Sequence, residues 1–93
     1  MIGPMKVVWD EAKRRVNLKK RGFDFADAAR VIAGVTCTFE DTRFEHGERR
    51  FITPGMLDAT VVVMAHTETA RELRVISMRK ATRHEQILYF QNL

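Results

Sequence analysis

Two groups of residues in this 93-residue chain have types suited to acid–base and phosphate chemistry. His66 and Glu68 stand two residues apart. In a strand, where side chains alternate between faces, that spacing puts both on one face, beyond Met64 and Val62. Further on, Arg79-Lys80 and Arg83 gather cations where a strand gives way to a helix. His and Glu suit proton transfer near neutral pH, and Arg and Lys suit phosphate oxygens. Cleavage of RNA by its own 2′-hydroxyl needs a base for the hydroxyl proton, cations for the extra charge on phosphorus, and an acid for the leaving oxygen. These residue types cover all three roles without a metal. No histidine, cysteine or carboxylate cluster has metal-ligand spacing, and no glycine motif for a nucleotide cofactor occurs, so neither a metal nor a cofactor is expected.

Each candidate also has a structural reading. His66 can be a polar strand end, Glu68 a turn residue and His84 a solvated helix residue. Glu85 completes Thr82-Arg83-His84-Glu85, a capping box in which hydroxyl and carboxylate satisfy the free N–H groups of a helix start. Lys19 and Lys20 belong to a basic helix face (with Arg14 and Arg15) that is either solvated or tracks a phosphate backbone. Trp9 reads as a core residue. Arg79-Lys80 stands out, because adjacent cations beside helical N–H groups make an anion site. The strands add Arg43, Arg49, Arg50 and Arg74 as phosphate contacts. If the last two strands form a hairpin, His66 and Glu68 lie at its turn near Arg74. Arg79 then sits at the open end, roughly 15–20 Å away at about 3.3 Å per residue.

The elements that must position these groups follow from periodicity. Met5–Trp9 reads as a short strand. Asp10 caps a helix through Lys20, and Gly22 provides its left-handed stop. Asp24 opens a second helix, whose Phe25, Ala28, Ala29 and Ile32 fall at i, i+3, i+4 and i+7 on one buried face. Gly34 ends it. The period then changes to two over Val35–Arg43, His46-Gly47 makes a turn, and Glu48–Thr53 forms the next strand. Pro54-Gly55 breaks or bulges that strand. Ala59–His66 is the most apolar strand and should be central. Glu68–Ala70 turns into Glu72–Met78, and the last helix carries Ile87, Leu88 and Phe90. The order β-α-α-β-β-β-β-α predicts one α+β domain over residues 1–93, an antiparallel sheet with its helices packed on one face. The other face is left open and shallowly concave by sheet twist.

Composition agrees with a single globular domain, with 45% hydrophobic and 30% charged residues. The net charge of +4 favours an acidic partner, nucleic acid or protein. Residues 1–30 hold eight Lys/Arg against four acids, 31–60 three against five, and 61–93 five against three. No apolar run reaches the roughly 20 residues that span a bilayer, and no secretory signal opens the chain. With Cys37 as its single cysteine, a cytoplasmic location is expected.

Together these residues resemble the BrnT family of type II toxin–antitoxin ribonucleases, which have a RelE-like fold. The resemblance runs through Val8-Trp9-Asp10-Glu11-Ala12-Lys13, Asn17 and Lys20-Arg21-Gly22, then Asp24-Phe25-Ala26-Asp27-Ala28. It continues through Asp41–Arg43 with Glu48-Arg49-Arg50, His66-Thr67, and Val75-Ile76-Ser77-Met78-Arg79-Lys80-Ala81-Thr82-Arg83. It implies a toxin that cuts RNA, arrests translation and is held in a hetero-oligomer by a BrnA-like antitoxin covering its basic face. DNA would be met only through that antitoxin. Arg79, Lys80 and Arg83 carry over as site residues, followed by His66 and Glu68. The chain departs from the family pattern at Met78, where Ala is more usual, at Arg21, commonly His, and at Glu68-Thr69, where Arg usually follows. The departures at Glu68 and Met78 motivate an alternative, a catalytically inactive nucleic-acid or antitoxin-binding domain of the same fold. The closing Leu88-Tyr89-Phe90-Gln91 resembles part of a protease-site tag.

Overall fold

The structure is a computed structural model and describes residues 6–42 and 48–93. Strand β1 (Lys6–Trp9) leads into helix α1 (Glu11–Arg21). Asp10 starts the helix by accepting the Lys13 N–H at 3.1 Å. Gly22 stops it at φ 78°, a conformation that costs glycine little, and returns its N–H to the Leu18 carbonyl.

Asp24 caps a 3₁₀ turn (Phe25–Asp27), and helix α2 (Ala28–Ala33) follows it directly. The buried face is therefore Phe25, Ala28 and Val31. Their spacing of three matches a 3₁₀ start, whereas the expected face included Ala29, which is exposed.

Strands β2 (Phe39–Asp41), β3 (Arg50–Leu57), β4 (Thr60–Glu68) and β5 (Glu72–Lys80) precede helix α3 (Arg83–Gln91). The α+β order matches the expected β-α-α-β-β-β-β-α, with α1, α2 and α3 as its helices. The sheet order is β1-β5-β4-β3-β2, so β4 is central, as its unbroken apolar run requires. β2 to β5 pair antiparallel; β1 adds a parallel edge on β5. The strand expected over Val35–Arg43 is shorter. Thr36 makes one bridge to Gly55, and ladder pairing covers only Phe39–Asp41. Arg43 and the His46-Gly47 turn lie outside the described residues.

Pro54-Gly55 does not interrupt β3, which pairs with β4 from Arg50 to Leu57. The Pro54 carbonyl accepts the Cys37 N–H, so its nitrogen also faces the β2 side, and no bond to β4 is lost. A Cβ at Gly55 would stand 2.7 Å from Val31 Cγ1, so the missing side chain is what lets α2 settle on the sheet.

Two cores follow from strand alternation. Val62, Met64, Val75 and Met78 pack on one sheet face with Phe25, Ala28 and Val31. Val61 and Val63 point to the other face and pack with Ala81 and Tyr89. The helices thus do not share one face. α2 lies on the first face and α3 on the second, where Tyr89 is its one buried residue and donates its hydroxyl to the Val35 carbonyl at 2.8 Å. Ile87, Leu88 and Phe90, the other large apolar residues of this helix, are substantially exposed.

Beyond Trp9 no strand among the described residues covers the outer edge of β5, and α1 takes over. The Asn17 side chain accepts the Met78 N–H (3.2 Å) and donates to the carbonyls of Met78 (2.9 Å) and Phe23 (3.0 Å). One amide stands in for a neighbouring strand and ties helix, loop and sheet together.

Candidate functional site

The second sheet face is covered at one end by α3 and open beside it. Register places its side chains in rows across β3, β4 and β5. Arg50 pairs with Thr67 and Thr67 with Arg74; Ile52 with Ala65 and Ala65 with Ser77; Pro54 with Val63 and Val63 with Arg79. Asp41 of β2 pairs with Arg50 at the outer edge. The shallow concavity between them is lined by Asp41, Arg50, Ile52, Val63, Ala65, Ile76, Ser77 and Arg79. Three guanidinium side chains thus belong to one face of a twisted sheet with a small apolar floor.

Strict alternation would not have put them there. Arg74 and Arg79 are an odd number of residues apart and belong on opposite faces of a regular strand. Ala65 pairs with Ser77 but His66 with Val75, so Ile76 is an extra, unpaired residue. This bulge turns Arg74 onto the face of Ser77 and Arg79, while Leu73, Val75 and Met78 all reach the first core.

Arg79 is held in a two-point contact with Glu85: Nη1 donates to Oε1 at 2.7 Å and Nη2 to Oε2 at 2.8 Å. The guanidinium keeps the Glu85 carboxyl far below the usual carboxylate range, at about 2, so it is ionised at any physiological pH. Arg50 also lines the concavity, and its Nε is buried with no hydrogen-bond partner among the described residues. Lys80 and Arg83 are exposed on either side of the β5–α3 junction, where Thr82 and Glu85 form the expected capping box. Lys80 pairs with Val62 of the first core, so alternation turns it away from the face of Arg79, with which it was expected to act.

His66 is elsewhere. It lies on the first face, 1% exposed, stacked on Phe51 with ring centroids 5.9 Å apart. Its Nε2 shares a 2.6 Å hydrogen bond with Thr53 Oγ1, which in turn meets Thr38 Oγ1 at 2.8 Å. Glu68 Oε1 lies 3.4 Å from Nδ1, yet Nδ1 has no hydrogen-bond partner among the described residues, so the alignment is too poor for a bond. Burial pushes the imidazole down to about 4, and it is neutral at pH 7. The sheet therefore separates His66 from Arg79, more completely than the strand arithmetic expected, and closes the ring to any substrate on the open face. Glu68 ends β4 on the His66 side of that alternation and pairs with Leu73.

The remaining predicted cations divide in the same way. Arg74 is exposed on the open face. Arg49 is bound to Glu40 through two contacts (2.8 and 3.0 Å) and lies over the Phe51 ring. Lys19 and Lys20 are exposed on α1; Lys20 lines a separate groove with Val16, Ile76 and Ser77. Among the described residues, no group of three or more His, Cys, Asp or Glu is placed to hold a metal ion. No helix of the described residues is long and apolar enough to cross a membrane.

The sequence reading did not single out Ser77 or Asp41 as site residues, or the partnership of Glu85 with Arg79. The last had a signal: a carboxylate six residues after an arginine, across a strand-to-helix corner, comes back toward it.

Known proteins give this geometry a context. The family profile described as the BrnT ribonuclease toxin of type II toxin–antitoxin systems matches residues 9–85, which include every open-face residue named above. The crystal structure of the Brucella abortus ribonuclease toxin BrnT superposes with a TM-score of 0.63 at 27% sequence identity, covering 86% of this chain and 100% of that one. No curated protein matches the chain.

Proposed function

The chain belongs to the BrnT family of type II toxin–antitoxin ribonuclease toxins, and from that premise we propose that it cleaves RNA on the open sheet face, using Arg50, Arg74 and Arg79 to hold and neutralise phosphate. The observation that carries this reading is the bulge at Ile76, which joins Arg74 to Arg79 and Ser77 on a face that α3 leaves open. Arg83, exposed at the start of α3, extends the cation field along the backbone of a bound strand. The 2′-hydroxyl attack builds negative charge on phosphorus, and fixed guanidinium donors stabilise that charge more in the transition state than in the ground state. Such chemistry requires no metal, so cleavage is expected to persist in excess chelator.

In this reading residues 1–93 act as a single toxin domain that arrests translation in the cytoplasm. A BrnA-like antitoxin with an acidic surface covers the basic face in a hetero-oligomer, and DNA is reached only through that antitoxin. Expression of the chain alone should halt growth, and the purified chain should produce discrete RNA fragments. Harmless expression with intact RNA would contradict it.

One observation favours the second reading, a binding domain of the same fold without cleavage. Among the described residues, none that lines the concavity is a histidine, and His66 faces the other way. Salt-sensitive RNA binding without products would mark that outcome.

A further inference from the structure

We propose that Glu85 is a positioning residue for RNA cleavage, holding the Arg79 guanidinium in the one orientation that serves the open face; this rests on the phosphate role given to Arg79 above. The capping box alone does not need what Glu85 provides. Its Oε1 accepts the Thr82 N–H at 2.9 Å while its own N–H reaches Thr82 Oγ1 at 3.2 Å, which starts α3. A neutral glutamine fills that role equally well. The charge and the second oxygen are used on Arg79, with contacts of 2.7 and 2.8 Å to the two terminal nitrogens.

Those contacts matter because of where Arg79 stands. It lies on β5 at the rim of a shallow concavity, its side chain 37% exposed. A long side chain has many rotamers, and only some present donors to a phosphate; the two-point Glu85 contact is much shorter than the 3.4 Å contact of Nη1 with the Lys80 carbonyl. A guanidinium carries five donors in a rigid fork, so contact with a carboxylate and contact with a phosphate are compatible in number. Glu85 sits on an element that is itself fixed. Tyr89, one turn further along α3, is buried in the second core and bonded to the Val35 carbonyl. Gln86 donates to the Ala81 carbonyl at 3.2 Å.

The carboxylate touches Arg79 rather than the substrate, so it acts through orientation. It does not supply a proton: with its carboxyl held at about 2, Glu85 has none to give under assay conditions.

The test is a double-mutant cycle on the purified chain, with RNA cleavage and thermal unfolding measured for each variant. Glu85→Gln keeps the capping box and removes the charge. Its kcat should fall roughly tenfold to hundredfold, the scale of a misplaced catalytic group, with KM nearly unchanged. The factor should be the same at every pH from about 5.5 to 8.5, and Tm should move by only a few degrees. In an Arg79→Ala background the same substitution should have no further effect on kcat. An unchanged or raised kcat in Glu85→Gln would overturn the assignment. So would an equal loss with and without Arg79, or a loss confined to one limb of the pH profile. An active parent chain whose Arg79→Ala variant is fully active overturns the phosphate role of Arg79 and this assignment with it. A parent chain that cuts no RNA overturns the ribonuclease reading itself.

Discussion

At the scale of single residues, the chemistry turns on which charged or titratable groups reach the open face and which are spent on the fold. Arg79 reaches it, and Arg79→Ala should lower the RNA cleavage rate roughly hundredfold, the usual cost of removing one preorganised donor to developing charge. His66 does not. Its imidazole is held near 4 by burial against an ordinary 6.5 when the chain is unfolded. Below pH 6.5 the unfolded chain takes up the proton more readily, so stability is full above that pH and is lost as pH falls toward 4. The loss amounts to about 3 kcal/mol. Glu85 and Glu11 are shifted downward instead, by Arg79 and Arg14 respectively, and their contributions fade only below about pH 4.5. Urea unfolding between pH 7.5 and 4.5 should therefore show a slope in the parent chain that disappears in His66→Gln. A slope that survives the substitution would place the pH sensitivity elsewhere.

At the scale of elements, much of the architecture is legible in the sequence. Asp10, Gly22, Thr82 and Glu85 mark helix ends through local chemistry, and the apolar run Val61–Met64 identifies the central strand. Features that depend on a distant partner left no local mark. Pro54 is harmless only because β2 has ended beside it, and the Ile76 bulge is visible only in the pairing with β4. His66 and Glu68 share a face as their spacing says. Which face carries α2, and so buries His66, is decided by Phe25 and Val31 packing from elsewhere in the chain.

Two substitutions test these long-range ties. Asn17→Ala leaves the Met78 N–H and carbonyl without their side-chain partner and should cost roughly 1–3 kcal/mol in chemical denaturation. Gly55→Ala forces a methyl against Val31 and Thr36 at 2.7 and 3.0 Å and should cost a similar 1–3 kcal/mol. Near-neutral results would mean that helix α1 or α2, respectively, is held to the sheet by other contacts.

At the scale of the whole molecule, a net charge of +4 becomes useful because the bulge and the α3 corner bring cations from two strands to one side. RNA binding should weaken with salt in proportion to the phosphates neutralised, at about 0.7 per contact for a single strand. Arg74→Ala should reduce the slope of log K against log salt by roughly that amount, whereas Arg49→Ala, on the opposite face with Glu40 and Phe51, should reduce it much less. Equal effects would mean that binding follows total charge rather than one face.

The most direct measurement is incubation of purified parent chain and Arg79→Ala with the same RNA in excess EDTA, with fragments followed over time. Cleavage by the parent, reduced roughly hundredfold in a variant that melts like the parent, is the expected result. Intact RNA with the parent chain, or equal cleavage by both proteins, would contradict the assignment of ribonuclease activity to the open arginine face.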